Sequence, residues 1–270
     1  MGDDLRRNLL FWIIWATLFF FSPIAAAAAP LAAIDYRLYS ELLKFPTDRK
    51  IVEVDGVPCL KVFLSRGQSI NYFCRFVTYF DKNFRLYRQH IALINRLEPM
   101  AVIGGTDNLS TDVKFIYVPL NFSIRPKILP ERIESISRLS KYIFIDIGRQ
   151  CLGLYEYGRL IHMFPISSGK NGTPARKFTI SSKEKDHYST KYENAWMPYS
   201  LRIFGDYFLH GGILPSYAAS HGCVRLIYDN AIFVYNWAEM GTPGEVINGA
   251  PSDEEHIALY NDEPDFKWLY

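Results

Sequence analysis

Residues 220–226 read Ser-His-Gly-Cys-Val-Arg-Leu, and a His-Gly pair precedes them at residues 210–211. A thiolate is a strong nucleophile, and a positioned imidazole can remove the thiol proton and later return a proton to a leaving amine. Cys223 and His210 are therefore the residue types that acyl transfer needs. Gly222 lets the backbone turn tightly before the thiol and aim an N–H group at a developing oxyanion.

Other motifs surround this run in a fixed order. They are Tyr142–Ile147, Leu154-Tyr155, Phe164–Lys170, Thr173-Pro174, Phe178, Met197–Tyr199, Asp229–Ala231 and Gly241–Pro243. Together with the Cys and His motifs they resemble the L,D-transpeptidase catalytic domain (the YkuD family) over about residues 140 to 247. The resemblance implies an α+β, mostly β fold, with mixed and antiparallel sheets and one helix after the nucleophile.

The same resemblance assigns the catalytic roles. Cys223 is the expected nucleophile, which attacks the carbonyl of the third residue of a tetrapeptide stem and releases D-alanine. His210 is the expected general base, with its ring oriented by the carbonyl of Gly211. The residues alone leave His221 open for that role, because geometry decides it. Otherwise His221 shapes the pocket, and the N–H groups of Gly222 and Cys223 form the oxyanion hole.

The residues expected to bind the substrate are Arg225, Ser220, Gly211, Met197 and Tyr199. The planar fork of Arg225 suits a stem carboxylate or the thiolate, and a structural salt bridge is its alternative. Ser220 is expected to tie the loop by hydrogen bonding. Two features depart from the family. The interval from His210 to His221 is 11 residues (221 − 210), which is short, and Arg176 replaces a family glycine.

Residues 1–29 have the order of a secretory signal peptide. A basic pair precedes an apolar run at residues 9–21, and a Ser-Pro break and a tract of alanines follow. The alternative is an uncleaved anchor, because residues 9–29 are long enough to cross a bilayer. Either reading predicts an exported chain in the periplasm or cell envelope, which contacts the membrane only through this segment.

Residues 57–120 predict a small α+β domain with the order strand, helix, helix, strand. Parts of it, at Val62–Ile70, Ile91–Asn95 and the strand before Pro119, resemble a LysM module. LysM modules bind the glycan backbone of peptidoglycan, so this resemblance implies a glycan partner. A generic α+β accessory domain is the alternative.

The rest of the chain divides into a polar linker at 121–140, the catalytic domain at 141–248 and an acidic tail at 249–270. Runs of β-branched and aromatic residues predict strands at 142–147, 151–157, 160–167 and 206–210. A helix that Asp229 caps and Gly241 ends is expected after the nucleophile.

The composition excludes several classes. The hydrophobic content of 49% and aromatic content of 16% support folded cores. A net charge of +2 gives no concentrated basic face, so no nucleic-acid partner is expected. The six histidines show no HExxH pattern and the four cysteines no CxxC pair, so neither a metal nor a cofactor is expected. His162 and His187 are assigned to structural or surface roles.

Three cysteines besides Cys223 remain in a chain expected to meet oxidising conditions. Cys59 and Cys74 lie in the same predicted domain, so we expect them to form a disulfide, which leaves an odd thiol. That thiol, Cys151, falls in a predicted strand and is expected to be buried and inert.

The leading hypothesis is an L,D-transpeptidase that cross-links peptidoglycan stems or attaches an envelope lipoprotein to them. A hydrolase could use the same thioester, as an L,D-carboxypeptidase or an amidase that cuts lipoprotein from the stem. A non-catalytic peptidoglycan-binding protein is a third possibility. A papain-like protease is disfavoured, because the only later histidine is His256 in the acidic tail. The sequence leaves the stem diamino acid, the acceptor and the oligomeric state open.

Overall fold

A computed structural model describes residues 34–103, 110–111 and 113–249. The predicted signal segment 1–29 and the acidic tail after Gly249 lie outside the described residues. Within the described ranges, no helix combines the length and the apolar character needed to cross a membrane.

The N-terminal part is built on a three-stranded antiparallel sheet. Its strands are β1 (Thr47–Val54), β2 (Val57–Phe63) and β5 (Phe115–Pro119), in the order β1-β2-β5. A short parallel pair, β3 (Val102–Ile103) and β4 (Ser110–Thr111), lies apart from it. The predicted strand at the end of this part is confirmed, whereas β1 precedes residue 57 and is not among the strands predicted from the sequence.

Three α-helices accompany this sheet: α1 (Tyr36–Leu42), α2 (Ile70–Arg75) and α3 (Phe84–Ile94), with a 3-10 helix at Thr78–Asn83 before α3. The carboxylate of Asp35 accepts hydrogen bonds from two N–H groups of the first turn of α1, and the hydroxyl of Ser69 caps α2 in the same way. An extended residue, Val77, separates α2 from the 3-10 helix.

The predicted disulfide is not formed. Cys59 in β2 and Cys74 in α2 are both buried thiols. Cys59 packs in an apolar cluster that includes Ile94 and Tyr117. Burial raises the pKa of Cys74 to about 12. Each thiol therefore behaves as a small apolar core residue of its own element.

The C-terminal part is a mixed sheet. Its nine strands are β6 (Tyr142–Asp146), β7 (Cys151–Glu156), β8 (Arg159–Ser167), β9 (Arg176–Thr179), β10 (Ser182–Tyr188), β11 (Trp196–Phe204), β12 (Tyr207–Gly211), β13 (Val224–Leu226) and β14 (Pro243–Ile247). Their order is β10-β11-β12-β13-β8-β7-β6-β14-β9, with parallel pairs at β12/β13 and β6/β14. The four predicted strands and the mostly β class with a mixed sheet are confirmed.

Both faces of the central strands are covered. In β6, Ile143 and Ile145 join the main core, while Tyr142 and Phe144 join a second cluster. The second cluster includes Ile128, Leu129 and Ile136 from the predicted linker, which contains a 3-10 turn at Glu134–Ile136. Because this segment buries apolar side chains, it covers one face of the sheet.

Helix α4 (Tyr228–Trp237) follows the strand after the thiol and packs Ala231 and Val234 against the main core. Asp229 lies in its first turn and does not cap it, because Tyr228 is already helical. A carboxylate there still complements the positive end of the helix dipole. The helix ends when Ala238 turns extended, before Gly241 is reached.

Candidate active site

The parallel pairing of β12 with β13 brings the thiol and an imidazole to one face of the sheet. The register places Leu209 opposite Val224 and His210 opposite Arg225. Side chains alternate along a strand, so the residues on the other face, Leu209 and Val224, are buried in the main core. His210, Arg225 and Cys223, which lies two residues before Arg225, project from the opposite face.

His210 is buried and held by backbone. Its Nδ1 lies 2.8 Å from the carbonyl oxygen of Gly211. A carbonyl only accepts hydrogen bonds, so Nδ1 carries the proton and Nε2 keeps a lone pair. Burial lowers the pKa of His210 to about 4, with the Gly211 carbonyl opposing the shift and Arg225 adding to it. The ring is therefore neutral at pH 7, as a general base must be.

The sulfur of Cys223 is partly exposed and lies 3.8 Å from the carbonyl oxygen of Asp206. Burial raises the pKa of this thiol, although the backbone N–H of Phe208 and the charge of Arg225 oppose the shift. Both partners are thus uncharged at rest. A neutral thiol beside a neutral imidazole requires the base to take the proton as the sulfur attacks.

Ser220 closes the loop before the thiol. Its hydroxyl accepts the N–H of Gly222 at 2.9 Å and donates to the carbonyl of Cys223. Its own N–H donates to Ser168, and its carbonyl accepts from Lys170. Ser220 therefore ties the loop as expected, but it is buried and fully engaged there, so the expected contact with substrate is not available to it.

Gly222 has a conformation that only glycine adopts easily. Its φ is +148°, and a Cβ built on it would lie 2.8 Å from Cε1 of Tyr207. Its carbonyl accepts from the Thr173 hydroxyl at 2.7 Å. Because its N–H already donates to Ser220, Gly222 does not offer the expected oxyanion donor in this structure. The N–H of Cys223 remains the expected one.

His221 lies at the surface, whereas His210 is buried. The ring of His221 is exposed and stacks on Tyr192, with the ring centroids 4.4 Å apart. Tyr192 belongs to a turn that Lys191 fastens to Asp206 through an ion pair of 2.5 Å. This contact fits a residue that shapes the pocket and favours His210 as the base. Tyr192 could not be identified from the sequence, because its contact with His221 depends on how the turn folds.

Arg225 is half-buried beside the pair and packs its stem on Gly212, where a Cβ would meet its Cδ at 3.1 Å. Burial lowers the pKa of Arg225. Among the described residues no carboxylate forms an ion pair with it. A desolvated cation without a carboxylate partner is suited to an anionic group of a substrate.

The other expected substrate contacts differ. Met197 is buried opposite His187 on β10. Tyr199 has φ +53°, and its ring packs edge-on against Tyr228 and Tyr235 of α4 at centroid distances of 5.5 and 5.6 Å. Helix α4 covers the core face of the sheet, so the Tyr199 ring lies on the side away from the thiol. The left-handed backbone at Tyr199 accompanies this packing, and its contact with substrate stays a prediction.

The sequence analysis also singled out Gly211 and Arg176, and the structure shows what each one contacts. Gly211 orients His210 through its carbonyl, and a Cβ on it would meet Pro198 at 3.1 Å. Arg176 places its guanidinium 5.1 Å from the centroid of the Phe204 ring, a cation–π contact. Within the part of the chain that the structure describes, no cluster of three or more His, Cys, Asp or Glu could hold a metal ion.

The burial of His210 predicts a pH-dependent stability. Its folded pKa of about 4 lies below the ordinary value of 6.5, so the unfolded chain takes up the proton first as the pH falls. The stabilisation is complete above pH 6.5 and is lost towards pH 4, by at most about 3 to 4 kcal/mol at ~1.4 kcal/mol per unit. Urea unfolding of wild type and His210→Gln between pH 7 and 4 measures it, and parallel pH curves for the two proteins would contradict it.

Part of this chain is similar to known proteins. Residues 140–246 match the family model YkuD, described as the L,D-transpeptidase catalytic domain. No curated protein matches the chain. Similar solved structures include an L,D-transpeptidase (Yku) from Stackebrandtia nassauensis, at 27% identity and TM-score 0.39, covering 42% of this chain and 58% of that one.

Two others are an L,D-transpeptidase from Mycobacterium tuberculosis H37Rv and one from Xylanimonas cellulosilytica. The first has 22% identity and TM-score 0.38 over 40% of this chain and 58% of that one. The second has 18% identity and TM-score 0.47 over 68% and 97%. The match spans less than two thirds of the first two solved chains. Residues 140–246 are therefore similar to the catalytic domain of the YkuD L,D-transpeptidase family.

Proposed function

We propose that the protein is an L,D-transpeptidase that acts on peptidoglycan stem peptides through a thioester at Cys223. One observation carries the proposal. An uncharged His210, with its Nδ1–H fixed on the Gly211 carbonyl, lies on the same sheet face as a partly exposed thiol. This is the arrangement that base-assisted thiol attack requires, and it lies within the YkuD domain.

In the first half-reaction, Nε2 of His210 takes the thiol proton while the sulfur attacks the carbonyl of the third stem residue. The carbon–sulfur bond forms, and the oxyanion is stabilised by the N–H of Cys223. The carbon–nitrogen bond to the terminal D-alanine then breaks. His210 gives its proton to the leaving amine, which restores the neutral imidazole. Arg225 is the cation available for a stem carboxylate.

In the second half-reaction, an amine captures the acyl group. The acceptor we propose is the amine of another stem or a lysine of an envelope lipoprotein. These substrates agree with an exported location in the periplasm or cell envelope. A glycan contact at residues 57–120 is supported by Tyr72 of α2 and Phe76 just after it, which are exposed and lie 4.6 Å apart between ring centroids. Adjacent exposed rings offer apolar faces on which sugars can stack.

Mass spectrometry of the intact protein after incubation with a tetrapeptide donor tests the proposal. We expect an adduct of the donor minus D-alanine, mapped by digestion to Cys223, and one equivalent of free D-alanine. Adding an acceptor amine should convert the adduct to the cross-linked product. Release of D-alanine with only hydrolysed tripeptide, in the presence of acceptor, would identify a hydrolase instead. Absence of both adduct and D-alanine would leave the non-catalytic binding protein.

A further inference from the structure

In the proposed second half-reaction the acceptor ammonium must lose two protons, and His210 can relay only one of them. An acceptor amine of the lysine type has a pKa of about 10.4, so at pH 7 only about 4 in 10⁴ molecules are uncharged. An ammonium has no lone pair for attack on the thioester. His210 relays one proton between the attacking amine and the leaving thiolate, and it ends as it began. A second base near the thiol would remove the extra proton.

Glu184 and His187 on β10 form a pair suited to this task. Oε2 of Glu184 lies 2.8 Å from Nδ1 of His187. A carboxylate only accepts hydrogen bonds, so Nδ1 carries the proton and Nε2 is left with a lone pair. Base and orienting carboxylate are thus arranged as His and Asp are in acyl-transfer triads. The side chains are 15% and 45% exposed, so the ring is held in place while the carboxylate reaches water.

The pair lies against the catalytic strand. The ring of His187 stacks on that of Phe208, with the centroids 4.5 Å apart and the planes at 30°. The backbone N–H of Phe208 faces the sulfur of Cys223. His187 is also close enough to His210 for its charge to oppose protonation of that ring. The two imidazoles therefore flank the residue that faces the thiol.

We propose that His187, oriented by Glu184, is a second catalytic base that deprotonates the acceptor ammonium before it attacks the thioester. This inference rests on the proposed function. It assigns His187 to aminolysis only, because the first half-reaction involves no ammonium nucleophile.

Aminolysis of the thioester then moves two protons from the acceptor. The acceptor ammonium gives one proton to Nε2 of His187, and the freed lone pair attacks the thioester carbonyl. The carbon–nitrogen bond forms, and the second amine proton passes to Nε2 of His210. The carbon–sulfur bond breaks, and the thiolate takes that proton from His210. His187 then returns its proton to water, with Glu184 stabilising the transient imidazolium.

Few charged groups face His187. Glu184 bonds it from the same strand. From β11, the guanidinium of Arg202 lies 5.0 Å from the centroid of the Phe208 ring. From β12 the titratable neighbour is His210, and Arg225 of β13 lies opposite His210 in the register.

Single-turnover kinetics separate the two half-reactions. Acyl-enzyme is prepared with the tetrapeptide donor, and its reaction is followed with two acceptors, one with a lysine-type amine and one with an α-amine of pKa ~8. His187→Phe keeps an aromatic ring for stacking on Phe208, His187→Gln keeps a polar side chain, and both remove the base. The matched control is His162→Gln, because His162 also stacks on a phenylalanine ring, Phe164, at 5.9 Å.

We expect both His187 variants to lose about 100-fold in aminolysis by the lysine-type amine at pH 7. With the α-amine, of which about a tenth is already uncharged, the loss should stay below about 5-fold. Acyl-enzyme formation should change less than 3-fold, roughly the scatter expected without loss of a base. In the variants the aminolysis rate should rise about tenfold per pH unit above pH 7, because only spontaneous ionisation supplies free amine.

Glu184→Gln should give a smaller loss with the same dependence on the acceptor. Equal losses with both acceptors, or a pH profile unchanged by the substitution, would mean that His187 acts only through packing and would overturn the inference. Failure to form acyl-enzyme in the wild type would instead overturn the proposed function, so the two failures are distinguishable.

Discussion

Replacing Cys223 with alanine is expected to lower the formation of cross-linked product by about 10⁴-fold or more, since a knocked-out nucleophile removes the covalent pathway itself. Cys223 is partly exposed and does not belong to the main core cluster, so the variant should fold normally. Release of D-alanine from a tetrapeptide donor, followed by chromatography, measures the loss. Circular dichroism and the urea midpoint serve as the folding control.

His210→Gln, alone and combined with Cys223→Ala, tests whether the thiol and the imidazole act together. Loss of a general base costs about 10²–10⁴-fold, and residues that act as one unit give non-additive losses. The double variant should therefore be no slower than Cys223→Ala alone. If the two losses multiply, the thiol and the imidazole act independently, which would contradict the pairing of β12 with β13 as the origin of the site.

The chemistry of the site could be predicted from residue types, but its assembly could not. Cys223 and His210 are recognisable from the run around them. That they share a sheet face depends on the parallel register of two strands separated by a loop, which is a long-range property. The burial that lowers the pKa of His210 depends on the same register, since it arises from neighbours far along the chain.

Local hydrogen bonds account for the failures within the site. The N–H of Gly222 was expected to face the substrate, but the Ser220 hydroxyl two residues away captures it. The packing of the Tyr199 ring on α4 could not be predicted, because it accompanies a left-handed backbone conformation. The contact of His187 with Phe208 could not be predicted either, because the two rings lie on different strands.

The N-terminal part also differs from what the sequence predicts. Strand β1 was missed because Asp48, Arg49 and Lys50 give it a polar centre without alternation. The register with β2 shifts across this polar centre and resumes from Ile51 to Val54, where the strand pairs with residues 57–60. The disulfide between Cys59 and Cys74 failed for a different reason, because closeness in sequence does not fix the separation of two Cα atoms.

Asp55→Ala is expected to destabilise the protein by about 3–5 kcal/mol, the usual cost of removing one partner of a buried ion pair. Asp55, in the turn between β1 and β2, forms an ion pair of 3.0 Å with Arg96, and the two side chains are only 0% and 2% exposed. Arg96 also donates to the carbonyls of Leu93 and Arg149. Removing the carboxylate leaves a buried guanidinium that joins the end of α3 to the turn between β6 and β7.

Urea unfolding at pH 7 gives the free energy of unfolding, and Glu134→Ala is the matched control. Glu134 pairs with Arg132 at 2.7 Å, yet the side chains are 75% and 54% exposed, so its loss should leave the midpoint unchanged within error. A similar loss in both variants would mean that charge count, and not burial, sets stability.

Because Arg96 reaches Arg149 beside the catalytic sheet, Asp55→Ala should also lower the temperature at which cross-linking activity is lost, in step with its lower stability. An early loss of activity without a change in the unfolding midpoint would contradict this coupling through stability.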